Sequence, residues 1–406
     1  MTKTNLIKDK KENNTIFKEN DISEGRMATV LQVLPNLGSD GGVERGAVEI
    51  AQAVVETGGR ALVAAATGPK VHELNRAKAE HIDLPLHSKN PAVIYKNIAR
   101  LAELIKREKV DIVHARSRAP AWSAYFAAKR TNCAFVTTFH GTYSYTGLLK
   151  RKYNSVMTLG DKVIAISNFI ATHIRQNYGI PNEKVRIIHR GVDLKKFDPS
   201  VVSAERIINL AKDWRLTGGN PVVMLPGRLT RWKGQVNFIK AIAMLNRTDV
   251  RCLLVGGSQG RKDYRKELEN LIVKNSLEEV VRIVDHCNDM PAAYMLADLV
   301  VSASIEPEAF GRVIVEAQAL GRPVVASDHG GARETMIEGK TGWLVKPGDI
   351  LALSKAIDCA LSLNEDARTE FFKNGIDNVK ARFSKDTMCA NTLAVYNEVL
   401  GAKEST

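Results

Sequence analysis

The segment ATVLQVLPNLGSDGGVERGAVEIA (28–51) joins an apolar run of strand length to a glycine-rich turn and then to an amphipathic run. Eight residues without alternation read as a strand buried on both faces, the signature of a parallel sheet. Gly38, Gly41 and Gly42 permit a tight turn and a close backbone approach, and a helix from about Val43 would present unpaired amides to that turn. The spacing is G-x-x-G-G rather than G-x-G-x-x-G, so the dinucleotide fingerprint is absent. Alone, the turn suits a structural loop as well as a ligand loop.

The same grammar repeats outward. RALVAAAT (60–67), DIVHAR (111–116), CAFVTTFH (133–140) and KVIAIS (162–167) are strand-like, with helical stretches at 93–108 and 119–130 between them. RGVDLKKFDPS (190–200) has Gly and Pro punctuation and no period, which marks a boundary. The pattern then restarts with PVVMLPG (221–227), RCLLVGG (251–257), VVRIV (280–284), DLVVSAS (298–304) and RPVVAS (322–327). Helices are expected near 349–363, 366–381 and 385–400. The fold class is therefore α/β, with two facing doubly wound parallel sheets and a cleft between them. The expected division is a polar tail over 1–26, one unit over 27–197, a second over 198–384, and a terminal helix over 385–406 packing back on the first.

Composition narrows the classes. The chain has 406 residues and a net charge of +13. Residues 27–198 carry 25 Lys and Arg against 14 Asp and Glu, so nearly all the excess lies in the first unit. A one-sided basic field implies an anionic partner, unless it is only a solvated surface. No apolar run reaches the ~18 residues of a membrane span, and the polar start lacks an apolar signal region. Five scattered cysteines without C-x-x-C argue against a disulfide framework or a zinc ribbon. A cytoplasmic protein is expected.

Candidate chemistry follows the strands. Arg228 and Lys233 in GRLTRWKGQ (227–235) flank a turn before a helix expected near Gly234, a place suited to a diphosphate; the plainer reading is two surface cations. In IEPEAFGRVIVEAQALGRPVV (305–325), Glu308 would precede a helix beginning near Phe310, and Glu316 would lie within its apolar face. An unpaired carboxylate is costly there, so sugar hydroxyls would account for it, as would a backbone-satisfied core acid. His140, followed by Gly141, closes a strand at the expected cleft. No D-x-D occurs, so a metal-holding aspartate pair is not expected, and Walker A, G-x-S-x-G and H-E-x-x-H are also missing.

Taken together, GGVE (41–44), His-Gly (140–141), RGVDLKKFDP (190–199), GRLTRWKG (227–234), EAFGRVIVE (308–316) and GRPVVASDHGGARE (321–334) resemble the retaining nucleotide-sugar glycosyltransferases of family four, which have the GT-B fold. They stand in the family's order over about 28–385. The resemblance implies that Gly41 and Gly42 approach the donor diphosphate and that Arg228 and Lys233 neutralise it as it leaves. It also implies that Glu308 and the amides near Phe310 and Gly311 hold the sugar and phosphate, that Glu316 binds ribose hydroxyls, and that His140 contacts the transferred sugar. Arg312 departs from the apolar residue common in the family; it either adds charge near the diphosphate or lies on the helix surface. EAFGRV, HARSR (114–118) and ASDHGGARET look most like bacterial enzymes of lipopolysaccharide or capsule assembly.

The expected reaction is transfer of a hexose from a UDP- or GDP-sugar, without metal or other cofactor, to an anionic glycolipid or polysaccharide acceptor. Arg116 and Arg118 are candidate acceptor or membrane contacts. So are Lys150, Arg151 and Lys152, which follow GTYSYTGLL (141–149), whose Tyr143, Tyr145, Leu148 and Leu149 would enter a lipid interface. The alternative for 150–152 is a solvated helix face. Peripheral attachment at the inner face of the cytoplasmic membrane is the expected location. Rival readings are a sugar-nucleotide epimerase of similar fold and, remotely, a basic nucleic-acid-binding protein, for which no RNP or zinc-finger motif is present.

Overall fold

The computed structural model describes residues 28–38, 41–143, 147–216 and 218–404. The tail expected over 1–26 and Tyr145 lie outside these residues. The first sheet contains β1 (Thr29–Asn36), β2 (Arg60–Ala66), β3 (Glu80–Asp83), β4 (Ile112–Ala115), β5 (Ala134–Phe139), β6 (Lys162–Ala165) and β7 (Val185–Ile187). Its order is β3-β2-β1-β4-β5-β6-β7, and every pair is parallel. The second contains β8 (Val222–Pro226), β9 (Arg251–Val255), β10 (Val281–Val284), β11 (Leu299–Ser302), β12 (Val324–Ser327) and β13 (Gly342–Val345), in the order β10-β9-β8-β11-β12-β13, again parallel.

Both sheets are doubly wound α/β, as the apolar runs predict. The central strands carry side chains that are buried along their whole length, from Ile112–Ala115 to Val324–Ser327. Helices cover both faces, so alternation with polar residues is absent. The helix Lys385–Glu404 inserts Met388, Cys389, Val395, Tyr396 and Val399 into the apolar cluster of the first sheet, beside Val30, Ile50 and Ile164. Its Tyr396 hydroxyl lies 2.6 Å from His114 Nδ1 on β4.

The carboxyl ends of the two sheets face each other. Ser167 Oγ, after β6, donates to the Ala309 carbonyl at 2.6 Å. The Glu334 carboxylate accepts from the amides of Asn168 and Phe169, each at 2.7 Å, and stands 3.0 Å from His189 Nε2. Glu334 thus supplies hydrogen-bond acceptors for the start of a helix, Asn168–Tyr178, that belongs to the other sheet. Burial alone would lift this carboxyl, but His189 and the amides hold it below its usual value.

Candidate active site

Four of the residues singled out from the sequence follow the carboxyl end of a strand. His140 comes directly after β5, Arg116 after β4, Arg228 after β8, and Glu308 six residues beyond β11. Open α/β sheets bind ligands at this edge, and here two such edges share one cleft.

On the C-terminal side, a short turn, Arg231–Lys233, precedes the helix Gln235–Leu245. Gly234 joins them at φ 76°, with its Cα so near β11 that an added Cβ would lie 1.9 Å from the Ala303 carbonyl oxygen. Only glycine allows that approach, and it brings Lys233 Nζ to 2.8 Å from Glu308 Oε1. Ser302 and Ser304 hydroxyls also donate to this carboxylate. Burial works to raise the Glu308 carboxyl, yet Lys233 and the two serines keep it below its ordinary value. Lys233 is therefore engaged with Glu308, whereas Arg228 is exposed and has no ion pair among the described residues. Arg228 contributes its carbonyl to Gln235 Nε2 at 2.9 Å.

The helix expected from Phe310 begins two residues later, spanning Arg312–Ala319, because Gly311 adopts φ 85° as its cap. The Phe310 ring is core, packed edge-on to Phe383 with centroids 5.7 Å apart. What Phe310 and Gly311 offer the cleft is their backbone amides, which donate to no group among the described residues. Glu316 is buried within this helix, as its apolar neighbours suggest, but it is not unpaired. The Tyr294 hydroxyl donates to it at 3.1 Å, Arg312 Nε lies 3.6 Å away, and Arg45 Nη1 approaches to 3.5 Å from the opposite domain. Arg312 thus lies beside Glu316 rather than on a bare surface, and an added Cβ on Gly42 would be 3.7 Å from its Nη1. The Gly41–Gly42 turn, the start of helix Gly42–Glu56, is thus brought to Arg312 at the start of the second sheet's helix Arg312–Ala319.

On the N-terminal side, Arg190 Nη2 stands 2.9 Å from His140 Nδ1. A guanidinium can only donate, so Nδ1 accepts and the ring proton sits on Nε2. Burial, then the charges of Arg190 and Arg116, push the imidazole well below its usual value, so it stays neutral. The His140 Nε2 atom is buried and has no hydrogen-bond partner among the described residues.

Two expectations for the first unit are corrected. Arg116 is not a membrane contact, though its alternative as an acceptor contact stays open: it is 3% exposed and donates to Gln32 Oε1 at 2.8 Å, because its position just after the central strand β4 carries it under the helix Gly42–Glu56. Tyr143 does not face a lipid interface; it packs on Phe139 with centroids 5.0 Å apart and lies under the Arg118 guanidinium at 4.2 Å. Arg118 also donates to Asn154 at 2.9 Å, so it ties two helices together rather than standing free. Lys150, Arg151 and Lys152 are exposed on the helix Leu148–Asn154, next to Leu148 and Leu149, which are 84% and 85% exposed.

Three residues here had no sequence signal of their own. Arg45, Tyr294 and Arg190 enter the cleft through long-range packing; Arg45 and Arg190 lay in quoted stretches, where neither was singled out.

Two parallel sheets with opposed carboxyl ends and a cleft lined by cations, paired carboxylates and helix starts define a GT-B glycosyltransferase. Residues 40–196 match Glycosyltransferase Family 4, and residues 207–377 match Glycosyl transferases group 1. A glycosyltransferase from Rickettsia africae ESF-5 is 38% identical, with a TM-score of 0.87 covering 93% of this chain and 99% of that one. Anabaena Alr3699/HepE, solved in complex with UDP-glucose, is 26% identical, with a TM-score of 0.78 over 93% and 100% of the two chains. The D-inositol 3-phosphate glycosyltransferase of Xylanimonas cellulosilytica is 28% identical over 308 residues, 70% of this chain and 71% of its own length. The chain belongs to the family-four glycosyltransferases. That membership decides between the enzyme readings in favour of glycosyl transfer over epimerisation.

Proposed function

We propose that the protein transfers a hexose from a UDP- or GDP-sugar, with retention of anomeric configuration, to a hydroxyl of a phosphate-bearing, lipid-linked acceptor of the lipopolysaccharide type. The observation that carries this reading is the convergence on one cleft of the Gly42 helix start, the Lys233–Glu308 pair and Glu316. The Anabaena relative was solved with UDP-glucose, and the Xylanimonas relative is named for a phosphate-bearing acceptor; both support the same classes of substrate here.

In the proposed reaction the donor diphosphate lies against Arg228, Lys233 and the amides of Phe310 and Gly311. Glu316 takes the ribose hydroxyls, Glu308 takes sugar hydroxyls, and His140 Nε2–H donates to the sugar. The bond from the anomeric carbon to the phosphate oxygen breaks as the acceptor oxygen attacks from the same face. The acceptor's proton passes to the departing phosphate. Fixed cations and amides stabilise the charge on that phosphate most in the transition state, which is what accelerates the step.

Lipid-side contact falls to the exposed helix Leu148–Asn154. Leu148 and Arg151 also border a groove of about 320 Å³ with Gly147, Gln176 and Asn177. No helix among the described residues is long and apolar enough to cross a membrane, so the proposed attachment is peripheral, at the inner face of the cytoplasmic membrane.

Thermal-shift screening against UDP- and GDP-sugars tests the donor. The stabilising donor is then incubated with a phosphate-bearing glycolipid, and the anomeric configuration of the product is read by NMR. Stabilisation by none of these donors, or an inverted product, would refute the reading.

A further inference from the structure

Resting on the glycosyl-transfer reading, we propose a second oxyanion subsite on the N-terminal wall of the cleft, formed by Arg190 and Arg116, which takes a phosphate of the acceptor. Arg116 is 3% exposed and Arg190 is 8% exposed, and both are pressed against the helix Gly42–Glu56. Arg116 spends one N–H on Gln32 Oε1, while its Nε is buried without a partner. Arg190 donates one N–H to His140 Nδ1, which keeps His140 Nε2–H for the donor sugar of the proposed reaction. The two guanidiniums thus present donors and no acceptors. Buried donors left unpaired are costly, and an anion with several acceptor oxygens satisfies them together.

The neighbouring charges leave room for it. Arg45, Arg116, Arg190 and Arg312 stand around the start of this helix against Glu44, Glu49 and Glu316. Glu49 and Glu316 are engaged with Arg45, and Glu44 lies folded over Gly41 with its buried Oε2 unpartnered. The helix start adds its own preference for negative charge. The subsite is distinct from the donor groups, since Arg228 and Lys233 follow strands of the other sheet.

Gly46 shows how the fold makes space. A Cβ added there would lie 2.1 Å from Arg190 Nη1 and 3.0 Å from Arg116 Nη2. Glycine in a helix interior is unfavourable relative to alanine, and here its bareness seats both guanidiniums.

The test is titration calorimetry of inorganic phosphate into the UDP-saturated protein. Wild type is expected to bind it, with affinity falling at least tenfold in Gly46→Ala and in Arg190→Gln while UDP affinity stays within twofold. Gly46→Ala keeps every charge and favours the helix, so it decides the matter if Arg190→Gln folds poorly. Equal phosphate affinity in wild type and variants overturns the proposal. A matching loss of UDP affinity would also overturn it, since the guanidiniums would then serve the donor diphosphate. Selective weakening of UDP-glucuronate over UDP-glucose in Arg190→Gln would place the anion on the donor sugar and overturn it too. If UDP itself fails to bind wild type, the donor reading fails instead, and the same phosphate titration without UDP still decides the subsite.

Discussion

Arg45 Nη1 stands 3.5 Å from Glu316 Oε1, so a guanidinium of the first domain already holds the carboxylate proposed to receive the donor ribose in the second. The same arginine leans on Glu49 at 3.2 Å and over the Phe197 ring at 5.8 Å. Donor binding therefore shares Glu316 with a cross-domain ion pair, so filling the site and closing the cleft involve the same carboxylate.

Glu316→Gln keeps the volume and removes the charge. A hydrogen bond to a charged group contributes about 1.5–3 kcal/mol, so kcat/KM for the sugar nucleotide should fall roughly tenfold to a hundredfold, with circular dichroism unchanged. Activity within twofold of wild type would show that Glu316 does not touch the donor.

Transfer should persist in excess EDTA. In the proposed mechanism, Arg228, Lys233 and the amides of Phe310 and Gly311 stabilise the leaving diphosphate, and among the described residues no three His, Cys, Asp or Glu side chains gather to hold a metal. Loss of activity on chelation, restored by Mg²⁺ or Mn²⁺, would contradict this.

Thermal stability should decline on acidification from pH 7.5 to 5.5. His114 and His140 are both held well below the ordinary value, His114 by burial and then by the charges of Arg116 and Arg190. Both are neutral in the folded protein but take up protons near pH 6.5 once unfolded. Their contribution is complete above that pH and is lost as the pH falls below it, at about 1.4 kcal/mol per histidine over this range. Melting curves of wild type and His114→Gln across the range check this, and a variant with the same pH slope as wild type would contradict it.

Wild type should sediment with anionic but not neutral vesicles, and a Lys150→Ser, Arg151→Ser, Lys152→Ser triple variant should not. Each exposed cation near an anionic surface is worth about 1 kcal/mol, so partitioning should drop roughly a hundredfold. Equal sedimentation of the two proteins would remove the membrane assignment from this helix.

The sequence revealed the central strands because they are buried on both faces, which needs continuous apolar residues. It concealed β3 (EHID), β7 (VRI) and β13 (GWLV), which are sheet-end strands of only three or four residues, the first two short of apolar side chains as well. Site residues that follow strands were legible, since strand ends are local features. Arg190 was not, because RGVDLKKFDP reads as a connection without a period and its side chain reaches back 50 residues to His140. Glu334 resembled an ordinary acid in the first turn of a helix. Its partners, Asn168 and Phe169, are some 165 residues earlier, and no spacing rule spans that distance.

That shared helix end makes the protein its own recorder of motion. The amides of Asn168 and Phe169 are both bonded to Glu334, so each is released to solvent when the halves move apart. Their hydrogen-exchange rate then follows how often the cleft gapes, resolved at two backbone positions without any added label. A bound sugar nucleotide that holds the halves together would slow this clock, so donor occupancy could be read from a helix that never touches the donor.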